Sequence, residues 1–192
     1  MIDIDAILRQ PCNETDVAAL RQKIIEKGRH HYTDKKQEIR AARVIAKEDA
    51  VFLYKLTSLI MPKTVLEIGT WFGTSAEIMN NACGCDVYTC DRNNVYELEN
   101  DKIHFYNIQS DVFLGKMLDM KIAPEMCFVD AKLRDNDASI IVEIMRGGVF
   151  VVHDYVAGEK GYKNVKRIKA ELGSGLNILS YNGVAIFECY GR

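Results

Sequence analysis

The segment 63–81, "KTVLEIGTWFGTSAEIMNN", joins a strand-like run to a helix-like run through two glycines. The aliphatic residues within 64–69 predict a short buried strand. Thr74, with Glu77 three residues later, predicts a capping box at the start of a helix. A strand that turns through glycine into a helix is typical of a nucleotide-binding turn in an α/β fold.

The same alternation of strands and helices continues along the chain. Further strands are predicted at 86–91, 102–109, 125–131 and 149–154, and further helices at about 111–120, 136–145 and 162–173. Asn182-Gly183 then joins the last two strand-like runs, which is a strong signal for a β-hairpin. This order predicts a mostly parallel sheet with helices on both faces, to which the hairpin adds antiparallel pairing.

Residues 1–62 are predicted to be helical and to precede the α/β core at 63–192. One helix ends near Gly28, and a polar loop follows at 30–32. A longer helix begins with a capping box at Asp34 and is stopped before the core by a proline.

The composition is that of an ordinary globular protein, and the length of 192 residues predicts one domain, 1–192. The formal net charge of -2 gives no positive field that would favour nucleic acid or an anionic membrane as a partner. No apolar run approaches the ~20 residues of a membrane span. The acidic N-terminus lacks the features of a secretory signal, and the six cysteines are interpreted as reduced thiols. A cytoplasmic location is therefore expected.

Acidic residues stand at or just past the ends of the predicted strands. They are Glu67, Asp91, Asp111, Asp130 and Asp154. Ligands of an open α/β sheet bind outside the carboxyl ends of its strands, so these acids are candidate binding residues. Glu67 would repel a pyrophosphate at the glycine turn, whereas Asp91 lies where a carboxylate accepts hydrogen bonds from ribose hydroxyls. A nucleoside with a ribose, no phosphate and a positive charge fits both acids, and S-adenosylmethionine is such a ligand.

The pattern E-x-G-x-x-x-G-x-S at 67–75 resembles the first motif of class I S-adenosylmethionine-dependent methyltransferases. The resemblance runs from about residue 50 to the C-terminus and includes "QSDVFLGKML" at 109–118, where Asp111 would meet the adenine amine. It implies a three-layer α/β/α Rossmann-like sandwich with a seven-stranded sheet in the order 3-2-1-4-5-7-6. The cofactor-binding residues that it implies are Glu67, Gly69, Thr70, Trp71, Gly73, Ser75, Asp91, Arg92, Ser110, Asp111 and Asp130.

"FVDAKL" at 128–133 and "RGGVFVVHDY" at 146–155 resemble small-molecule O-methyltransferases of the catechol and sugar types. In those enzymes the corresponding positions hold a divalent cation, which implies Asp130, His153 and Asp154 as ligands of Mg²⁺ or Ca²⁺. Such a cation would bind the acceptor and lower the pKa of its hydroxyl. The implied reaction moves a methyl group from S-adenosylmethionine to a hydroxyl of a small molecule, for example a sugar or a polyol.

Two departures from that pattern leave alternatives open. Lys132 and His153 both stand where the resemblance leads us to expect acids. One alternative is a metal-independent enzyme that acts on oxygen or nitrogen, with His153 as general base and Asp130 as its partner. Lys132 would then either deprotonate the acceptor or contact an anionic group on it. Another alternative is a protein that binds S-adenosylmethionine without catalysis.

Three expectations concern the surroundings of this site. The N-terminal helices form either a lid over it or the contact of a homodimer, and Trp71 is either a wall of the pocket or a packing residue. The basic residues of the last helix are expected to form a solvated face. They are Lys160, Lys163, Lys166, Arg167 and Lys169.

Overall fold

The computed structural model describes residues 2–29, 44–93, 100–173 and 177–189. The strands are β1 (Thr64–Ile68), β2 (Asp86–Cys90), β3 (Ile103–Tyr106), β4 (Met126–Val129), β5 (Gly148–Val152), β6 (Leu179–Tyr181) and β7 (Val184–Cys189). They form one sheet in the order β3-β2-β1-β4-β5-β7-β6. Strands β1 to β5 pair with one another in parallel, whereas β7 pairs antiparallel with both β5 and β6. The predicted sheet and its order are confirmed.

Helices cover both faces of this sheet. They are α1 (Ile4–Leu8), α2 (Glu14–Arg29), α3 (Lys47–Ile60), α4 (Thr74–Cys83), α5 (Ser110–Asp119), α6 (Asp137–Met145) and α7 (Lys160–Leu172). Apolar residues of α1 to α4 pack on one face, and those of α5 to α7 pack on the other. No helix in the described part of the chain is both long enough and apolar enough to cross a membrane.

The two faces of the sheet follow from the alternation of side chains along each strand. In β1, Val65 packs under α1 to α4 and Leu66 packs under α5 to α7. Glu67 therefore points to the same side as Val65. In β5, Val151 packs under α1 to α4, so His153, just past the end of that strand, lies towards the same layer. This alternation directs both polar side chains towards the N-terminal helices.

The start of α4 differs from the predicted capping box. Gly73 is the residue before the helix, with a φ of 79°, and the Glu77 amide donates to its carbonyl at 2.9 Å. Thr74 is the first helical residue instead, and its buried hydroxyl has no hydrogen-bond partner within the described residues. The left-handed conformation of glycine sets the entry to this helix, so the Thr74 side chain does not cap it.

The longer N-terminal helix is also shorter than predicted. Its predicted start at Asp34, like the polar loop at 30–32, lies outside the described residues. Residues 44–46 are not helical, and α3 begins at Lys47 after an extended Ala46. The prediction of one continuous helix from Asp34 to the proline before the core is therefore wrong.

Candidate active site

A cleft of about 870 Å³ lies at the carboxyl ends of the parallel strands. Its walls include Gly69 after β1, Asp91 after β2, Ser110 after β3 and Ala131 after β4. The strand order reverses between β1 and β4, where ligands of this class of sheet bind. A Cβ atom on Gly69 would lie 3.0 Å from both the Cβ and the amide nitrogen of Ala131. Glycine therefore permits the loops after β1 and β4 to approach each other beside the cleft.

Glu67 lies beneath the glycine turn and is fully buried. Its carboxylate accepts hydrogen bonds from the hydroxyl of Ser75 and, at 2.5 Å, from that of Thr89. The hydroxyl of Thr70 lies 2.5 Å from that of Thr89. Burial raises the pKa of Glu67 to about 7, although both hydrogen bonds act in the opposite direction. Three of the predicted cofactor-binding residues, Glu67, Thr70 and Ser75, therefore lie behind the turn and support it.

Asp91 lines the cleft, and its carboxylate is held by backbone amides. One oxygen accepts from the Trp71 amide at 3.0 Å, and the other accepts from the Asn93 amide at 2.9 Å. Arg92 is exposed on the same wall. Trp71 has a φ of 47° and packs its ring against Phe72 and the core under α1 to α4. The Trp71 amide therefore helps to fix a carboxylate that faces the cleft, while its ring is a packing group.

The opposite wall of the cleft is organised by Asp137, a fully buried acid that the sequence did not single out. Its Oδ2 accepts from the hydroxyl of Ser110 at 2.7 Å and from the amide of Arg134 at 2.8 Å. Asp111, the predicted partner of the adenine amine, pairs with the Arg134 guanidinium at 2.9 Å, and both side chains are about half exposed. Asp137 thus joins the start of α5 to the loop after β4. Its position at the start of α6 was the only sequence signal for it.

The three residues predicted as cation ligands lie together, as expected from their positions at the ends of β4 and β5. Nδ1 of His153 is 2.9 Å from Asp130 Oδ1 and 3.6 Å from Asp154 Oδ1. Nε2 of the same ring is 3.0 Å from Asp49 Oδ2. Asp49 belongs to the first turn of α3. The sequence does not predict its contact with His153, because the two residues are 104 positions apart and share no motif. Both nitrogens of the His153 ring therefore contact carboxylates.

The charges of this cluster determine its protonation. Burial alone would lower the pKa of His153, but Asp130 first, and then Asp49 and Asp154, raise that pKa to about 9. Burial alone would raise the pKa of Asp130, but the hydrogen bond and charge of His153 and the ammonium of Lys160 lower it below its ordinary value. At neutral pH the cluster accordingly contains an imidazolium next to the ionised carboxylate of Asp130.

Lys160 also belongs to the cluster, contrary to the expectation that it lies on a solvated helix face. Its Nζ is 2.9 Å from Asp130 Oδ1 and 3.2 Å from Asp154 Oδ2, and it donates to the carbonyl of Asp130 as well. The side chain is 33% exposed. The reason is the next residue: a Cβ atom on Gly161 would lie 2.0 Å from the carbonyl oxygen of His153. Glycine lets the start of α7 touch the end of β5, and this contact directs Lys160 inward.

The rest of α7 holds the loop after β4. The buried Asn164 accepts from the Leu133 amide at 3.1 Å and donates to the Ala131 carbonyl at 2.7 Å. Arg167 donates to the Leu133 carbonyl, so it too departs from the predicted solvated face. Lys132, in the middle of this loop, is exposed on the wall of the cleft. The loop that carries Lys132 is thus fixed by two side chains of one helix.

No protein-family profile matches the sequence, and no curated protein matches it. Solved structures match the fold. An O-methyltransferase from Bacillus cereus in complex with S-adenosylhomocysteine (SAH) has a TM-score of 0.63 at 14% identity, over 90% of each chain. The SAH-bound methyltransferase PaMTH1 of Podospora anserina has a TM-score of 0.59 at 12% identity, over 90% of this chain and 88% of that one. The O-methyltransferase TomG of Streptomyces achromogenes, in complex with S-adenosylmethionine, has a TM-score of 0.56 at 16% identity, over 88% of this chain and 87% of that one.

Proposed function

We propose that the protein transfers a methyl group from S-adenosylmethionine to a hydroxyl of a small molecule. The observation that carries this proposal is the position of Asp91 and of the Asp130–His153–Asp154 cluster on either side of Gly69, at the edge where the strand order reverses. We propose that the carboxylate of Asp91 binds the ribose and that the charged cluster on the other side of Gly69 meets the acceptor. The fold shared with three methyltransferases supports the same reading.

The residues of the cleft fit this cofactor. The carboxylate of Asp91 has the chemistry to accept hydrogen bonds from two ribose hydroxyls, and Gly69 leaves room where a side chain would meet Ala131. Ser110 and Asp111 form the wall that we assign to the adenine. The cofactor supplies a methyl group on a positively charged sulfur, which is an electrophile that needs no further activation. The role of the protein is then to position an oxygen nucleophile in line with it.

Asp154 is the residue that we assign to the acceptor. It is 43% exposed, whereas Asp130 is 25% exposed and His153 is 13% exposed. Asp154 also has a φ of 56°, an uncommon value for a residue other than glycine, and such backbone strain is frequent at functional sites. We propose that its carboxylate would accept the acceptor's hydroxyl proton as the oxygen bonds to the methyl carbon, while the bond from that carbon to sulfur breaks and SAH leaves as a neutral thioether. We also propose that Lys132, which is exposed on the wall of the cleft, contacts an anionic group of the acceptor.

Of the two forms of the reaction, we propose the one without a divalent cation. A histidine ligates a metal through an unprotonated nitrogen, and both nitrogens of His153 contact carboxylates. His153 does not fit the role of a general base either, because its raised pKa keeps it protonated at neutral pH. Its proposed role is to hold Asp130, so it is a positioning residue.

The first helices contribute to this site through α3. Asp49 contacts His153 directly, so the N-terminal segment completes the cluster from one side. We therefore favour the reading in which these helices wall the acceptor side of the site over the reading in which they serve only as the contact of a homodimer. A small acceptor such as a sugar or a polyol suits a site enclosed in this way.

Transfer of a labelled methyl group tests the function. The protein is incubated with methyl-labelled S-adenosylmethionine and a panel of small alcohols, phenols and sugars, with and without a chelator. We expect labelled product that the chelator does not reduce, and loss of product in Asp154→Asn. The exposed Asp119→Asn, on α5, is the matched control and should retain activity. SAH binding without turnover of any acceptor would instead support a protein that binds the cofactor without catalysis.

A further inference from the structure

The ammonium of Lys160 lies between the carboxylates that would otherwise hold a cation. It contacts Asp130 Oδ1 at 2.9 Å and Asp154 Oδ2 at 3.2 Å, and it donates to the backbone carbonyl of Asp130. A lysine ammonium has three protons, and these three oxygens can accept all of them. The position between Asp130 and Asp154 is therefore taken by a positive charge of the chain itself.

The remaining candidate ligand is directed away from a cation. His153 uses Nδ1 for Asp130 and Nε2 for Asp49, so its ring bridges two acids. Only the carboxylates of Asp130 and Asp154 are left as ligands, and Mg²⁺ or Ca²⁺ would have to displace Lys160 to reach them. A hard cation of this kind binds through several oxygens in a defined geometry. The donor set therefore does not fit a resident divalent cation.

The packing of α7 fixes Lys160 in this position. The backbone of Gly161 contacts the end of β5 so closely that a Cβ atom there would lie 2.0 Å from the His153 carbonyl oxygen. One turn further along, the buried Asn164 makes two hydrogen bonds to the loop after β4. Moving the helix would break these contacts, so the backbone that carries Lys160 is fixed beside Asp130 and Asp154.

We propose that Lys160 replaces the divalent cation at this position of the fold and excludes Mg²⁺ and Ca²⁺ from Asp130 and Asp154. The role of Lys160 in catalysis rests on the proposed methyl transfer. The exclusion of divalent cations does not, because it is a property of the folded protein alone. Lys160 is a positioning residue: it holds the two carboxylates together and offsets their negative charge, which leaves Asp154 oriented towards the acceptor.

Binding of Mn²⁺, followed by its electron paramagnetic resonance signal, tests this replacement. We expect the wild-type protein to bind no Mn²⁺ at the cluster up to about 1 mM, the weak end of protein cation sites. Lys160→Met keeps an unbranched side chain of nearly the same length and removes its charge, so Asp130 and Asp154 lose the ammonium that they share. That variant should bind Mn²⁺ at least about tenfold more tightly than the wild type. Lys163→Met, an exposed position on the same helix, should behave as the wild type.

Two results would overturn the proposal. One is Mn²⁺ binding by the wild-type protein that is lost in Asp154→Asn, since that would show an open cation site. The other is a folded Lys160→Met variant, judged by its circular dichroism and unfolding temperature, that gains no Mn²⁺ binding. If that variant fails to fold, the wild-type titration still decides. SAH calorimetry separates this proposal from the function, because a protein that excludes Mn²⁺ but binds no SAH contradicts only the function.

Discussion

Oδ2 of Asp49 lies 3.0 Å from Nε2 of His153, although 104 residues separate the two in the chain. This contact connects the first turn of α3 to the residue that follows β5. Both side chains are 13% exposed, so solvent screens their attraction less than that of a surface pair. The N-terminal helices are therefore part of the charged cluster as well as of the apolar core.

The raised pKa of His153 predicts how stability depends on pH. The pKa of His153 is about 9 in the folded protein and near 6.5 when unperturbed. The protonated imidazole therefore contributes its full stabilisation to the folded protein below pH 6.5, and this contribution is lost as the pH rises through 9. Between these limits the wild type should lose up to about 3 kcal/mol of unfolding free energy relative to His153→Gln. Urea unfolding of both proteins at pH 6 and pH 9.5 measures this difference.

His104 provides the control for that experiment. It contacts Asp86 at 3.2 Å, but its side chain is 35% exposed and that of Asp86 is 49% exposed. Solvent screens an ion pair that is this exposed, so His104→Gln is the matched control for the loss of a histidine next to an acid. If the stability difference between the wild type and His153→Gln were the same at pH 6 and pH 9.5, Asp130 and Asp49 would not stabilise the imidazolium.

The buried carboxyl of Glu67 predicts a pH dependence at lower pH. Its pKa is raised to about 7 by burial, so the folded protein retains a proton there that the unfolded chain has released. From pH 4.5 to pH 7 the wild type should therefore lose up to about 3 kcal/mol of stability relative to Glu67→Gln. The exposed Glu48→Gln is the control. If the difference in unfolding free energy between the wild type and Glu67→Gln stayed constant from pH 4.5 to 7.5, this would contradict the burial of an ionisable group under the turn.

The close contact at Gly161 predicts a large effect of a single methyl group. Gly161→Ala would place its Cβ 2.0 Å from the His153 carbonyl oxygen, and backbone on both sides must move to relieve the overlap. We expect a loss of at least about 2 kcal/mol in the free energy of unfolding. In Gly115→Ala, on α5, the added Cβ meets nothing within 4 Å, and that change should be neutral or stabilising by about 0.5–1 kcal/mol. Equal effects of the two substitutions in urea unfolding would contradict the contact.

The sequence predicts the sheet well because the sheet depends on local signals. Alternating strand-like and helix-like runs, and the Asn182-Gly183 turn, predict a mostly parallel sheet with an antiparallel hairpin, and the acids at the strand ends mark the edge that carries the site. The order of the strands in the sheet came from the resemblance. The convergence of Asp130, His153 and Asp154 follows from β4 and β5 being neighbours. What the strands bring together could thus be predicted.

The helices' contributions to the cluster could not be predicted in the same way. Lys160 belongs to a run of basic residues whose periodicity suggests a solvated face, and only the fit of Gly161 against β5 turns it inward. Asp49 looks like an ordinary acid in a first helical turn until α3 is docked on the sheet. Tertiary packing brings both residues into the cluster, and the spacing of residues along the chain does not predict that packing.

Calorimetric titration with SAH tests the central claim, that the cleft beside Asp91 binds S-adenosylmethionine. We expect one SAH molecule to bind per chain, and we expect Asp91→Asn to weaken binding by at least about tenfold, because the ribose hydroxyls lose a charged acceptor. Asp101→Asn, an exposed position, should bind as the wild type does. A wild-type protein that binds no SAH, or an Asp91→Asn variant that binds it with unchanged affinity, would contradict this claim.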